Sequence, residues 1–213
     1  MAPRRPSAAC AALAVALLAT GVARNAAAAD PACVAAIDGG DAAFQRDGVW
    51  SPATPGPLDG VAAVRTGRDA RVEIRCADGL VLTIGVMTEA SVESLVASAA
   101  PTRNVVVRLF RGIVGLASPA VRRARTEIRT PLAIAAARST AWLVETDPAD
   151  GATAVFAREG RVAVSAPTDP AAGVVLGPGE GVDVTASDGV APTARWGAPR
   201  LAEAGDALGF GWR

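Results

Sequence analysis

Along several short stretches of this chain, apolar and polar residues alternate one for one. In "RVEIRC", Val72, Ile74 and Cys76 alternate with Arg71, Glu73 and Arg75, the period of a strand with one wet face. Asp78-Gly79 marks a turn and "LVLTIGV" follows, so 71–86 is expected to be a hairpin. "NVVVRLFRGIVGLASP" (104–119) reads as a β-branched strand, a glycine turn at Arg111-Gly112 and a second short strand. "VRRARTEIRTP" alternates again and stops at Pro131. "AWLVETD" and "ATAVFAREG" are strands joined by "PADG", and "RVAVSA" follows the Glu159-Gly160 turn. After a "TDPAAG" loop, "VVLGPGEGVDVTA" supplies two last strands around a Gly-Pro-Gly bend.

Helical spacing is scarce. "TEASVESLVASA" (88–99) is the best helix candidate, with Thr88 as its cap, although a strand with a polar edge fits it equally. Residues 30–48 read as a mixed lead-in with one short helical turn. "VWSPATPGPLDG" (49–60), with three prolines, must be loop or edge structure. The whole pattern predicts an all-β fold: a twisted sandwich or roll, or a short solenoid, of many short antiparallel strands with little helix. A weak internal repeat supports it. Residues 64–85 and 128–160 each begin with Arg-Thr and a breaker, run into an apolar strand, turn at Asp-Gly and pair with a second strand.

Composition fits this reading. Hydrophobic residues make up 51% and aromatics only 4%, so the core must be built from Val, Leu, Ile and Ala. The first residues change the charge balance. "MAPRRPSA", an apolar run and "RNAAAAD" form the pattern of a secretory signal peptide, 1–29, cleaved after Ala29. Cleavage would remove Arg4, Arg5 and Arg24 and no acid, leaving 18 basic against 21 acidic residues. A mildly acidic exported protein is a poor binder of nucleic acid, and no stable membrane insertion is expected after cleavage. Cys10 leaves with the signal. Cys33 and Cys76 remain, and in an oxidising compartment they are expected to pair. The alternative, a reactive or metal-binding pair, finds no His in the chain to complete a site.

"IRTPLAIAAARSTAWLVE", then "GATAVFAREGRVAVS", then "VVLGPGEGVDV" resembles the FecR domain, the periplasmic part of ferric-citrate-type regulators. The family's ordered landmarks fall here on Thr130 and Pro131, on Arg138, Ser139 and Thr140, on Trp142, on Glu159-Gly160, and on Leu176-Gly177-Pro178-Gly179-Glu180. The resemblance covers about 48–186. It divides the chain into a signal (1–29), a lead-in segment (30–47), a FecR-like β domain (48–186) and a C-terminal tail (187–213). Ser139 stands where the family has Gly. Full regulators of the family also carry a cytoplasmic sigma-factor-binding segment and a membrane span, where this N-terminus reads as a removable signal. The resemblance therefore implies a stand-alone exported version: a non-enzymatic protein-interaction or regulatory module of envelope signalling, with another envelope protein as partner and no cofactor.

Read by themselves, the motif residues are structural. Thr130-Pro131 breaks a strand, Arg138 is placed to satisfy carbonyls at a turn, Thr140 to hydrogen-bond locally, and Trp142 to sit in the core. Gly160 and Gly177 are turn glycines, with Glu180 beside the second. With no His, the usual Ser-His and Cys-His pairs are excluded, and no metal set is visible. Arg123, Arg125 and Arg129 would share one face of a strand, a possible partner surface that edge protection explains as well. Phe210 and Trp212 near the end either dock on the domain or meet a partner. A glycan-binding module remains as a second reading, with Trp50, Trp142, Trp196 and Trp212 as its only indoles.

Overall fold

The protein is seen in a computed structural model that describes residues 32–97, 104–119, 125–138 and 140–212. The expected signal peptide, Arg123 and Ser139 lie outside the described residues. The first half holds β1 (Cys33–Asp38), β2 (Ala42–Arg46), β3 (Val49–Pro52), β4 (Gly56–Pro57), β5 (Ala63–Thr66), β6 (Arg71–Cys76), β7 (Val81–Ile84), β8 (Glu89–Ser91) and α1 (Glu93–Val96). The long β9 (Val105–Ala117) follows, then β10 (Thr126–Arg129), β11 (Ile134–Ala137), β12 (Ala141–Thr146), β13 (Thr153–Glu159) and β14 (Val162–Ala166). Last come β15 (Asp169–Leu176), β16 (Glu180–Thr185), β17 (Gly189–Val190), β18 (Ala194–Arg195) and α2 (Ala198–Leu208). The fold is all-β, as the alternation predicts.

The strands form two layers. One runs β4-β1-β6-β7-β9-β12-β13-β16 with β17 and β18 on its end; the other runs β3-β2-β5-β8-β9-β10-β11-β14-β15. We call them the first and second sheets. β9 belongs to both: Gly112–Ala117 pair in the first and Val105–Arg108 in the second. The expected turn at Arg111-Gly112 is therefore no turn. Gly112 sits at φ +83°, where a Cβ would run into the backbone of Met87 and Thr88. Only glycine lets the strand swing between layers there without strain. β9 and β10 are parallel, one departure from the all-antiparallel expectation. It arises because β9 ends in the first sheet and β10 restarts in the second.

The internal repeat is present, but its equivalences are shifted. β6 and β7 form a hairpin in the first sheet between β5 and β8, which pair in the second. β12 and β13 do the same between β11 and β14. Arg65-Thr66 therefore matches the residues just before β12, not Arg129-Thr130. Each unit alone would leave one apolar face bare, and β9 joins the two so that the faces share one core.

That core is aliphatic, with Leu82, Ile84, Leu109, Leu116 and Ile128 fully buried around Phe44 and Trp142. The lead-in is not helical. Cys33 and Ala35 alternate inward on β1, whose register with β6 places Cys33 opposite Cys76, and the two are joined as a disulfide. The candidate helix at 88–99 is mostly absent. Glu89–Ser91 pairs with both β5 and β9, leaving a helix of only four residues. Three ladder partners on each side outweigh a weak helical spacing. The "TDPAAG" loop is likewise strand, the start of β15. Among the described residues no helix is long and apolar enough to cross a membrane.

Candidate interaction surface

Each sheet has an inner face in the core and an outer face, and the sequence treats the two outer faces differently. On the first sheet, Ile113, Leu143 and Phe156 point outward and form a second apolar cluster with Trp196, Ala204 and Leu208 of the tail. Gly115 and Gly181 clear the space. A Cβ on Gly115 would strike the Trp212 ring, and one on Gly181 the Trp196 ring. Phe156 and Trp196 stack at 5.0 Å, and the Arg200 guanidinium lies 3.8 Å over the Trp196 ring. At the end of α2, Arg71 donates from Nε to the Ala207 carbonyl (3.1 Å) and from Nη2 to that of Asp206 (2.7 Å). These are carbonyls the helix cannot satisfy itself. Trp212 Nε1 donates to Thr83 Oγ1 at 3.0 Å. The tail is docked, with Trp212 half-buried and Phe210 36% exposed.

Between α2, the β9 swing and the β12–β13 turn lies a groove of about 550 Å³, lined among others by Met87, Arg111, Glu145, Asp183 and Arg200. Arg200 grips the Asp183 carboxylate with both terminal nitrogens. Glu145 keeps contact with solvent, but partial desolvation in the groove pushes its carboxyl above the usual range, against the pull of Arg200 and with help from the neighbouring acids Glu203, Asp147 and Asp183. The sign follows. As pH rises from the unfolded-state pKa to the higher folded one, the folded state resists losing this proton, so stability falls across that window and stays lowered above it. Glu145→Gln is therefore expected to stabilise slightly near pH 7, by less than about 0.5 kcal/mol for so exposed a site. The gain should vanish near pH 3, as read from denaturant midpoints at the two pH values.

Among the described residues the outer face of the second sheet has no such cover. Across it run Arg65 beside Trp50 on β3 (4.7 Å to the ring), Arg111 paired to Glu89 (3.3 Å), Arg108 and Phe110 on β9, and the β10 residues. Phe110 is 52% exposed. Arg125 and Arg129 do share this face, as the alternation predicts, and both bind the one Glu127 carboxylate. That shared acid lies two residues from each arginine, on the same face of the strand.

The family landmarks are mostly structural. Thr130 Oγ1 accepts from Ala133 N–H (2.9 Å) and meets Thr153 Oγ1 (2.8 Å), closing the break before Pro131. Trp142 is fully buried. Gly160 turns at φ +72°. At the Gly-Pro-Gly bend the positive φ belongs to Gly179, while Gly177 donates its N–H to the Glu180 carboxylate (2.7 Å). One local role differs from expectation. Thr140 is buried, but its hydroxyl finds no partner among the described residues, and Arg138 is exposed and lines a surface hollow. The four indoles offer no open platform: Trp142 and Trp196 are buried, and Trp50 and Trp212 are half-covered, with Arg65 over one and Arg158 over the other.

Comparison with known proteins takes in the landmarks from Thr130 to Gly160 and leaves out Leu176–Glu180. The family model described as "FecR protein" matches residues 62–163, the stretch from β5 to β14 that contains both hairpin units. Two crystal structures of a "putative anti-sigma factor" from Parabacteroides distasonis share the fold, each with a TM-score of 0.54 at 18% identity. Each match covers 66% of this chain and 62% of the other, so the chain spans less than two thirds of those proteins. No curated protein matches.

Proposed function

Since residues 62–163 form a FecR domain, we propose that this chain is a non-enzymatic regulatory module of the cell envelope, exported through its N-terminal signal and acting by contact with another protein. The family match carries the reading. It is supported by the likeness of fold to the Parabacteroides distasonis protein and by the absence of His, which removes the commonest general base from the chain's chemistry. The asymmetry of the two outer faces indicates which surface does the work. The first sheet is covered by the chain's own tail, whereas the second presents Phe110 among arginines. An exposed aromatic ringed by arginine is the composition of an interface centre.

The test is in the producing cell. A photo-crosslinking residue at Phe110 is expected to give one discrete protein adduct, and the same probe at Glu203 on α2 none. Arg108→Glu should abolish the Phe110 adduct. No adduct at Phe110 under any growth condition would overturn the reading. Fractionation should find the chain outside the cytoplasm with Asp30 as its first residue; a cytoplasmic chain beginning at Met1 would overturn the exported half of it.

A further inference from the structure

We propose that Arg125, Arg138 and Arg161 form an anion-binding site at one end of the second sheet, built for a dianionic phosphate group. The register places them side by side. Thr126 pairs with Ala137, and Ala137 with Val162. Both pairings are antiparallel, so one further step outward brings Arg125 opposite Arg138 and Arg138 opposite Arg161. Like charges directly opposite on neighbouring strands destabilise a sheet. Two in succession form a ladder that the folded chain does not need for its own stability.

The three arginines line one hollow of about 240 Å³ with Ala136, Ala137, Ala163 and Val175. No carboxylate lies in that lining. Its floor is small and aliphatic, and of the three guanidiniums only that of Arg125 is held by a carboxylate among the described residues. Arg125 shares Glu127 with Arg129, whereas neither Arg138 nor Arg161 has a carboxylate in ion-pair contact among the described residues. Among the described residues two positive charges are thus left without an acid. A phosphate monoester or diphosphate end carries about that many negative charges near neutral pH. Guanidinium also matches phosphate in a bidentate fork, which a compact hollow favours over an extended acidic peptide. The phosphate can be carried by a soluble molecule or by a lipid headgroup.

Titration of the full chain with pyrophosphate at low salt, followed by calorimetry, tests the site. Phosphatidylcholine vesicles with and without phosphatidic acid form a second arm, and a hexaglutamate peptide a third. Binding of pyrophosphate supports a soluble ligand. Sedimentation with phosphatidic acid vesicles alone supports a headgroup. In either case Arg138→Ala and Arg161→Ala are each expected to weaken binding about tenfold, the loss of one charge-assisted contact, while Arg68→Ala leaves it unchanged. Both side chains are exposed, so the variants should fold, and matching circular dichroism spectra will verify this. Binding of hexaglutamate in preference to both phosphate probes would overturn the proposal. So would binding that ignores the two substitutions, or no binding in any arm.

Discussion

Replacing Cys33 and Cys76 together by serine is expected to lower the free energy of unfolding by about 4 kcal/mol, the chain-entropy value for a closed loop of this length. The two cysteines are 43 residues apart and face each other in the β1–β6 register. The bridge ties β1 to a strand fully inside the sheet, and the loop it closes contains β2 to β5, including the whole edge of the second sheet formed by β3 and β2. Losing it should therefore loosen more than one strand. Hydrogen exchange is expected to rise across 33–66, with 126–185 much less affected. Denaturant unfolding of the oxidised chain, the reduced chain and the double variant gives the number. Equal midpoints for all three would mean that the β1–β6 ladder and the buried Ala35 hold the N-terminal edge without it.

How much of this architecture could be read beforehand depends on what kind of signal carried each part. The apolar pattern was enough for β6, β12 and β14, whose inward positions are mostly apolar (Val72, Ile74, Trp142, Val144, Val162, Val164). It failed for the lead-in: "CVAAID" contains three small residues, and alanine carries almost no contrast between wet and dry faces. It failed at Gly112 too. Glycine in a strand pattern signals either a turn or a bulge, and only the partners on both sides of β9 distinguish them. The 88–99 segment was decided by long-range pairing, which leaves no local trace.

The surface was legible in part. That Arg125 and Arg129 share a face follows from period two alone. The same period puts Glu127 on that face, between the two arginines, with Thr126 and Ile128 turned inward; that both arginines close on its one carboxylate is a matter of side-chain conformation, which the alternation does not specify. The Arg138–Arg161 pairing needs the β11–β14 register, a contact spanning more than twenty residues of sequence. The glycines that make room for the tail, Gly115 and Gly181, look in sequence like any other strand or turn glycine.

Deleting residues 197–213 is the second large effect expected. The segment buries Leu208 completely and Leu201 and Trp212 in part against Ile113, Leu143 and Phe156. Burial of a leucine side chain contributes about 1.5–3 kcal/mol; the other contacts add to this, and the ordering of the segment offsets much of it. A net loss of about 3 kcal/mol is expected, with binding of a hydrophobic dye and concentration-dependent association as the bare face of the first sheet seeks another cover. Gly115→Ala should reproduce the last step alone, expelling the Trp212 ring and breaking its hydrogen bond to Thr83 while α2 stays in place, visible as a red shift in tryptophan emission. The deletion also separates two roles that the sequence leaves joined at Phe210 and Trp212. Because the tail packs on the outer face of the first sheet, the Phe110 adduct should persist in the shortened chain. If the adduct disappears while the β fold survives, the exposed Phe210 end of the tail belongs to the interface, and the partner must reach around the edge of the sandwich to both faces.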